Sequence, residues 1–449
     1  MGATPAASRP RSEVEVTNAQ KASDYTTVAV VVGAVTLALA VPASRAFLAD
    51  LHASSMLGAA GLYAAALALA VVCYKSLMNT AEWRGGGVTG ILSSSEGNGF
   101  HGKEVKNLVN GYYDNFGAES RKEGGDHDAL LDKRKKNYMS MVNSFYTLVT
   151  DFYEYGWGDS FHFANRFIGE SHKESLRRAE YFLSSKLQLT EKSRCLDVGC
   201  GIGGPMRAIA RFSGAEITGI NNCDYQIKVG NRYNEKWGLQ KKCIYFQADF
   251  MNLPVADNSF DAAYEIEATC HAPDKAACYE RIFNALKPGG LFAGYEWVVT
   301  DKYDPSNKEH VAIREGIEVG NGLPVIPPVS EVVAALKAAG FEVLESFDMH
   351  ATMHSNHMEV PWYATLAGME WNLTGFRMTP VGRAVTHFFV ETLEFLRIAP
   401  KGSVKVSKML NDTAIDLANG GKLEIFSPDH FFLARKPLNA VNRDLNRAK

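Results

Sequence analysis

The segment Arg194-Cys-Leu-Asp-Val-Gly-Cys-Gly-Ile-Gly-Gly-Pro205 decides the fold of this chain. Its first five residues form an apolar run that is typical of a buried strand, and Met206 to Phe212 has the spacing of a helix. Between the two lies a Gly-x-Gly-x-Gly turn, formed by Gly199, Gly201 and Gly203. Glycines tolerate a positive φ and let the backbone approach a ligand closely. A strand–turn–helix unit with this turn therefore predicts a nucleotide-binding site, and a purely structural turn is the alternative.

An alternation of helices and strands continues on both sides of this turn. Helical spacing precedes it at Leu176 to Leu187. Further strands are predicted at Glu216–Ile220, Ile244–Ala248, Phe260–Ile266, Leu291–Val298, Phe341–Phe347 and His430–Leu433. Repeated βαβ units form a parallel sheet with helices on both faces, so the sequence predicts an α/β fold.

Polar residues at the ends of the predicted strands are candidates for ligand contacts. In dinucleotide enzymes an acid follows the second strand and binds the ribose. Here Asn221 and Asn222 stand at that place, which disfavours a nicotinamide cofactor. The candidate cofactor-binding residues in the turn and at the strand ends are Asp197, Gly199, Cys200, Gly201, Gly203, Asn221, Asn222, Gln226, Asp249 and Phe250.

The composition narrows the class of protein. The chain has 449 residues, of which 46% are hydrophobic and 22% charged, so a large core is expected. Its net charge of −3 leaves no broad basic field, which argues against a nucleic-acid partner. The 7 cysteines include no Cys-x-x-Cys pair, which indicates reduced thiols, no metal site and a domain that faces the cytosol.

The N-terminal region contains two apolar runs. Tyr25–Ala43 and Met56–Tyr74 are each 19 residues long and uncharged. A helix of that length spans about 28 Å, close to the thickness of a bilayer core. Lys and Arg are more frequent outside the connector than within it, which predicts a transmembrane hairpin with both ends in the cytosol. The alternatives are a cleaved signal peptide with one span, two Ala-rich soluble helices, or a plastid transit peptide.

The nucleotide-binding region resembles the seven-stranded, Rossmann-like sheet of methyltransferases that use S-adenosyl-L-methionine. The resemblance rests on the glycine turn with Asp197, on Asp249-Phe250 and on Lys287-Pro-Gly-Gly290. It implies that Asp197, Gly199 and Gly201 contact the amino acid end of the cofactor. It also implies that Asn221 and Asn222 replace the usual ribose-binding acid with the help of Gln226, that Asp249 accepts from the adenine amino group, and that Phe250 packs on the ring.

Four further blocks resemble the sterol 24-C-methyltransferases, and that resemblance extends over residues 104–437. The blocks are Tyr153-Glu-Tyr-Gly-Trp-Gly-Asp-Ser-Phe-His-Phe163, Glu265-Ile-Glu-Ala-Thr-Cys-His-Ala-Pro-Asp274, Tyr295-Glu-Trp-Val-Val-Thr-Asp-Lys-Tyr-Asp304 and Gly316-Ile-Glu-Val-Gly-Asn-Gly-Leu-Pro324. The first block is too aromatic and too rich in glycine for an ordinary helix, and it is expected to form a lid or an aromatic wall.

The family's chemistry implies which side chains the site needs. Methyl transfer to C24 of a Δ24 sterol produces a cation at C25, a hydride shifts from C24 to C25, and a base removes a proton from the new methyl carbon. Aromatic faces and fixed carboxylates stabilise such a cation. The candidates for these roles are Tyr153, Glu154, Tyr155, Trp157, Glu267, His271 and Glu296. The alternatives are structural: Glu154 caps the lid, Glu296 pairs with Lys302 or an arginine, and His271 only orients its neighbours.

The sequence thus predicts four regions and a membrane-bound enzyme. Residues 1–80 form the tail and the hairpin, 81–125 a linker, 126–305 the methyltransferase core and 306–449 a smaller C-terminal sterol-binding domain. The expected substrate is cycloartenol, lanosterol or zymosterol, and the expected location is the endoplasmic reticulum membrane with the catalytic domain in the cytosol. A homo-oligomer is a further expectation. The alternatives are a plastid tocopherol or quinone methyltransferase and a non-catalytic sterol-binding protein.

Overall fold

The computed structural model describes residues 109–116, 127–350, 359–369, 376, 378–396, 399 and 401–442. The predicted hairpin lies outside the described residues. Within the described part of the chain, no helix combines the length and the apolar character that crossing a bilayer requires. The hairpin therefore stays a prediction.

The strands of the described chain form one large sheet and one small one. They are β1 (Arg166–Phe167), β2 (Arg194–Val198), β3 (Glu216–Asn221), β4 (Cys243–Gln247), β5 (Phe260–Ile266), β6 (Leu286–Val299), β7 (Glu342–Asp348), β8 (Glu359–Val360) and β9 (Phe426–Arg435). The large sheet has 7 strands in the order β4-β3-β2-β5-β6-β9-β7, while β1 pairs with β8. Strands β4, β3, β2, β5 and β6 run parallel, and β9 is antiparallel to both of its neighbours. The predicted seven-stranded α/β sheet is confirmed.

Helices cover both faces of this sheet. They are α1 (His127–Lys136), α2 (Tyr138–Trp157), α3 (His172–Lys186), α4 (Gly204–Ser213), α5 (Asp224–Trp237), α6 (Lys275–Ala285), α7 (Lys308–Asn321), α8 (Val329–Ala339), α9 (Pro380–Phe395) and α10 (Ser403–Lys422). Successive side chains of β2 pack in hydrophobic clusters on opposite faces of the sheet, because the side chains of a strand alternate between its two faces. Leu196 packs with α6 and α8, whereas Cys195 packs with α3 and α4.

The C-terminal region contributes to the main sheet. Strands β7 and β9 come from residues 306–449 and complete the sheet next to β6, as the predicted strands near Phe341–Phe347 and His430–Leu433 require. Strand β9 is almost entirely buried, since only its last residue, Arg435, is exposed. Helices α9 and α10 precede β9 in the chain and pack against each other, and α10 also packs on α7.

The aromatic block at Tyr153 begins within a helix, so the expectation of a non-helical segment was wrong for its first five residues. Helix α2 continues to Trp157 and ends where Gly158 takes a φ of 91°. The physical reason is a continuous apolar face upstream. Met141, Phe145 and Leu148 recur at helical spacing, are fully buried, and extend the helix through the block.

Two glycines of the fourth family block, Gly316–Pro324, lie at the contact between α7 and α10. A Cβ at Gly316 would overlap the carboxylate of Asp416, and one at Gly320 would overlap the hydroxyl of Thr413. The two helices therefore approach closely only because these positions lack a side chain.

We expect Gly320→Ala to lower the free energy of unfolding by about 1–3 kcal/mol, because the new methyl group overpacks the contact between α7 and α10. Urea denaturation measures this change. Gly111→Ala is the matched control, since a Cβ at Gly111 meets no atom within 4 Å. Equal stability of the two variants would show that the helices separate without cost.

Candidate functional site

The glycine turn brings two distant segments to the end of strand β2. Gly199, Gly201 and Gly203 all have a positive φ, of 80°, 52° and 75° respectively. A Cβ at Gly199 would overlap the side chain of Ala268, and one at Gly204 would overlap the carbonyl oxygen of Asp159. The absence of these side chains lets the segments around residues 159 and 268 lie directly on the turn.

A cavity lies between the turn and these two segments. Its lining joins nearly all predicted cofactor residues to residues of the first two family blocks. It is lined by Val142, Tyr146, Asp159, Phe161, His162, Asp197, Gly199, Cys200, Gly201, Ile202, Gly203, Pro205, Asn221, Asn222, Gln226, Phe250, Ile266, Glu267, Ala268 and His271. Of the predicted cofactor residues, Asp249 is missing from this lining.

Asp197 is the acidic residue that faces the glycine turn. Its side chain is buried, and the hydroxyl of Tyr264 donates to its Oδ2 at 2.7 Å. Burial raises the pKa of Asp197 to about 7, while the bond from Tyr264 opposes that rise. The carboxyl group therefore changes its charge near neutral pH.

The amides after strand β3 brace the turn. Asn221 donates from Nδ2 to the carbonyl oxygen of Gly201 at 3.1 Å and to Oε1 of Gln226 at 2.9 Å. Gln226 in turn donates to the hydroxyl of Thr150 in α2, at 3.2 Å. These bonds tie the ends of β2 and β3 to the helix that roofs the cavity. Asn222 also lines the cavity.

Asp249 accepts two hydrogen bonds from the protein. Its carboxylate accepts from the hydroxyl of Tyr138 and, at 2.8 Å, from the backbone N–H of Met251. The latter bond begins a short 3-10 helix at Phe250–Asn252. Phe250 faces the cavity, so the structure separates these two neighbouring residues.

Glu267 is the carboxylate of the second family block that faces the cavity. Its backbone is left-handed, with a φ of 53°, which is uncommon for a residue with a side chain. The side chain is buried, and its Oε1 accepts from the backbone N–H of Phe163. Burial, and then the charge of Asp429, raise the pKa of Glu267 well above its ordinary value. Burial thus favours the neutral acid, whereas a cation bound beside it would favour the carboxylate, which is the form that can accept a proton.

His271 is neutral and held on both sides. Its Nδ1 lies 3.1 Å from the carbonyl oxygen of Gly322, so this nitrogen carries the proton. Its Nε2 then accepts from the hydroxyl of Tyr146, at 2.9 Å. Burial lowers the pKa of His271 to about 4, so the ring stays uncharged at neutral pH. This arrangement fixes the phenol of Tyr146 at the cavity wall.

The first family block splits between the cavity and its support. Tyr153 is not part of the lining, but its ring packs edge-on against Phe161, with 5.6 Å between centroids. The buried carboxylate of Glu154 accepts from Tyr233. The side chains of Tyr155 and Trp157 lie outside the described residues.

Glu154 is connected to the cavity through a chain of contacts. The guanidinium of Arg207 lies 4.7 Å from the centroid of the Tyr233 ring, and it donates to Asp159 at 3.1 Å. Asp159 lines the cavity beside Phe161. Glu154 therefore supports the loop that carries the aromatic wall.

Glu296 lies outside the cavity lining, in a buried network of its own. Its Oε2 accepts from Thr269 at 2.6 Å, from Lys275 at 2.9 Å and from Tyr279 at 3.2 Å. The structural alternative for Glu296 thus has a different partner from the expected Lys302, which pairs with Glu424.

Sequence reasoning missed the aromatic and polar wall formed by Tyr146, Asp159, Phe161 and His162. Three of these residues stand in the second half of the first family block. The sequence identified the block, but the catalytic candidates were chosen from its first half. Tyr146 carried no local signal, because it is one of many aromatic residues on α2. Its hydrogen bond to His271 joins residues 125 positions apart.

Comparisons with known proteins agree on the family and the fold. Residues 196–294 match the family described as a methyltransferase domain, and residues 373–438 match the one described as sterol methyltransferase C-terminal. Cycloartenol-C-24-methyltransferase of Arabidopsis thaliana is 50% identical over 69% of this chain and 91% of its own length. The sterol 24-C-methyltransferase of Saccharomyces cerevisiae is 46% identical over 70% of this chain and 83% of its own length.

Solved structures support the fold alone. A cyclopropane synthase from Mycobacterium tuberculosis aligns with a TM-score of 0.51 over 66% of this chain and 98% of its own. The sequence identity is 15%, so this likeness carries no inference about substrate.

Proposed function

Because this chain belongs to the sterol 24-C-methyltransferase family, we propose that the cavity beside the glycine turn holds the methyl donor and the C24 end of a Δ24 sterol together. The chain is an S-adenosyl-L-methionine-dependent methyltransferase of sterol biosynthesis. When bound, S-adenosyl-L-methionine supplies an electrophilic methyl group to the sterol double bond. The observation that carries the proposal is the contact of Gly199 with Ala268, which sets the acid at Glu267 against the turn.

The residues of the turn fit the donor. The positive-φ glycines leave room for a ligand at the backbone, and a buried acid, Asp197, faces the same space to accept from an ammonium group. The amide pair Asn221 and Asn222 offers carbonyl oxygens for ribose hydroxyls, and Phe250 offers a ring face for adenine. Asp249 is assigned to Tyr138 rather than to the adenine, since its carboxylate is already engaged.

The residues around Glu267 fit the later steps. Its carboxylate stabilises the cation at C25. After a hydride shifts from C24 to C25 and the positive charge moves to C24, the carboxylate accepts the proton from the new methyl carbon, and the C–H electron pair forms the 24(28) double bond. The phenol of Tyr146 and the ring of Phe161 line the same cavity and present aromatic faces to the cation. Tyr153 and Glu154 hold this wall in place, and His271 orients Tyr146.

A substrate panel tests the reaction class. Labelled methyl donor is offered with cycloartenol, lanosterol, zymosterol, a tocopherol precursor and phosphoethanolamine. We expect label in a 24-methylene sterol and in no other product. Methylation of the tocopherol precursor would favour the plastid alternative, and binding of sterol without turnover would favour a non-catalytic protein.

We expect Phe161→Leu to weaken the binding of a sterol with a positively charged nitrogen at C25 about tenfold more than the binding of the neutral sterol. The reason is that the substitution removes a cation–π contact of about 0.5–2 kcal/mol. Competition binding measures both affinities. Phe212→Leu is the matched control, since Phe212 is half-exposed and stacks on Tyr181 away from the cavity lining. An equal loss of affinity for both ligands would show that Phe161 shapes the cavity but does not stabilise the cation.

The membrane location and the assembly are further parts of the proposal. We propose that residues 1–80 form a hairpin that anchors the enzyme in the endoplasmic reticulum membrane, with the catalytic domain in the cytosol. The two uncharged runs of 19 residues and the buried, unpaired cysteines support this. Cycloartenol is the proposed sterol, because the plant relative with 50% identity bears that name. A homo-oligomer is also proposed.

We expect a chain that begins at Gly99 to lose its integral attachment, so that high salt extracts it from the membrane fraction, and to keep its turnover of detergent-solubilised sterol within about threefold, because the hairpin precedes every residue of the cavity. Fractionation and the labelled-donor assay measure this. Loss of both donor and sterol binding in a folded protein would make the hairpin part of the site.

A further inference from the structure

Helix α9 presents a continuous apolar surface to solvent. Phe395 is 85% exposed, Phe388 70%, Val381 63% and Phe389 51%. Val385 and Leu396 extend the same surface. Single exposed apolar residues are normal, but several on one helix mark an interaction site. We define these six residues as the α9 surface.

Exposed lysines outnumber exposed acids beside the α9 surface. Lys401 and Lys405 are exposed and follow Leu396, near the start of α10. Of the two acids of α9, Glu394 accepts from the backbone N–H groups of Gly402 and Val404 at the start of α10. Glu391 lies 3.6 Å from His387, and its side chain is 53% exposed. The rim of the surface therefore carries two exposed cations and one exposed acid.

A groove lies beside the α9 surface. It runs between α9 and α10 and includes Leu366, Arg383 and Ile415 in its lining. Leu366 also belongs to the buried apolar cluster that contains Phe163 and Trp297. Phe163 donates its backbone N–H to Glu267, which lines the cavity. One residue of the groove thus belongs to the same apolar cluster as Phe163, whose backbone N–H bonds to the proposed base.

We propose that the α9 surface docks on the face of an anionic phospholipid bilayer, where it meets the sterol substrate. The phenylalanines enter the boundary between headgroups and acyl chains, and Lys401 and Lys405 contact lipid phosphates. A second copy of the chain fits less well, because a symmetric contact would bring the same lysines to the rim from both sides. The proposal rests on the proposed function for its sterol substrate, but not for the contact itself.

The location of residue 395 tests the contact without any use of activity. A dye is attached to Phe395→Cys in the full-length protein, with Cys73→Ser removing the one cysteine that lies outside the described residues; the other six are buried. We expect emission to fall in vesicles of phosphatidylcholine and phosphatidylserine whose acyl chains are brominated. The matched control is Phe246→Cys on the edge strand β4, since Phe246 is 49% exposed. Equal emission from residue 395 in brominated and plain vesicles overturns the proposal.

Kinetics test the role of the contact. We expect Phe388→Ser/Phe395→Ser to lower kcat/KM about tenfold for sterol presented in vesicles, and to leave it within about twofold for sterol on cyclodextrin. Lys401→Gln/Lys405→Gln should remove the dependence on phosphatidylserine. Equal losses in both presentations, or a change in oligomeric state by light scattering with unchanged use of vesicle sterol, would overturn it. An inactive wild-type enzyme in both presentations contradicts the proposed function, while the dye experiment still decides the docking.

Discussion

Glu267→Gln is expected to lower kcat about 10²–10⁴-fold and to leave the affinity for the methyl donor within about threefold. The reason is that the amide keeps the shape and accepts the hydrogen bond from Phe163, but it takes up no proton. Single-turnover assays with labelled donor measure the first effect, and calorimetry measures the second.

The stability of the Glu267→Gln variant separates chemistry from folding. The pKa of Glu267 is raised in the folded state. At pH values above the ordinary pKa of a glutamate, this residue therefore lowers the free energy of unfolding. The neutral amide should therefore leave the melting temperature unchanged or raise it. Glu296→Gln is the contrasting variant. It weakens a buried pair with Lys275, so it should lower the melting temperature. If Glu267→Gln keeps the kcat of the wild type, Glu267 is not the base.

Asp197→Asn is expected to weaken donor binding about 10–100-fold at pH 8, because it replaces a charged acceptor with a neutral one. The wild type should also show a pH dependence. Since burial raises the pKa of Asp197 to about 7, the ionised fraction falls about tenfold between pH 8 and pH 6, and donor affinity falls with it. The variant should show no such decline. Calorimetry at both pH values measures this.

Asp249→Asn is the matched control for that experiment, since it removes an acid at a neighbouring strand end whose carboxylate is occupied by Tyr138 and Met251. Its effect on donor affinity should stay below about threefold. If Asp249→Asn weakens donor binding as much as Asp197→Asn does, the carboxylate of Asp249 turns from Tyr138 to the adenine when the donor binds.

The positions of the strands along the chain and the glycine turn could be predicted from the sequence because both depend on near neighbours. The predicted bounds of β2 and β5 coincide with the structure, and the other predicted strands overlap theirs. Alternation and glycine spacing act over a few residues, so no distant contact is needed to recognise them. The extent of α2 was misjudged, since its last turn depends on a buried face that begins at Met141.

The sequence by itself determined the α/β fold, the acid and glycines of the turn, and the blocks that carry the remaining chemistry. Only the tertiary structure decided which side chains of those blocks share the cavity. It turned Glu267 toward the turn and Glu296 toward Lys275, although each acid stands in one of the family blocks. The physical reason is that a side chain's surroundings depend on contacts between segments far apart in the chain. The close approach of Ala268 to Gly199 and the bond of Tyr146 with His271 are such contacts.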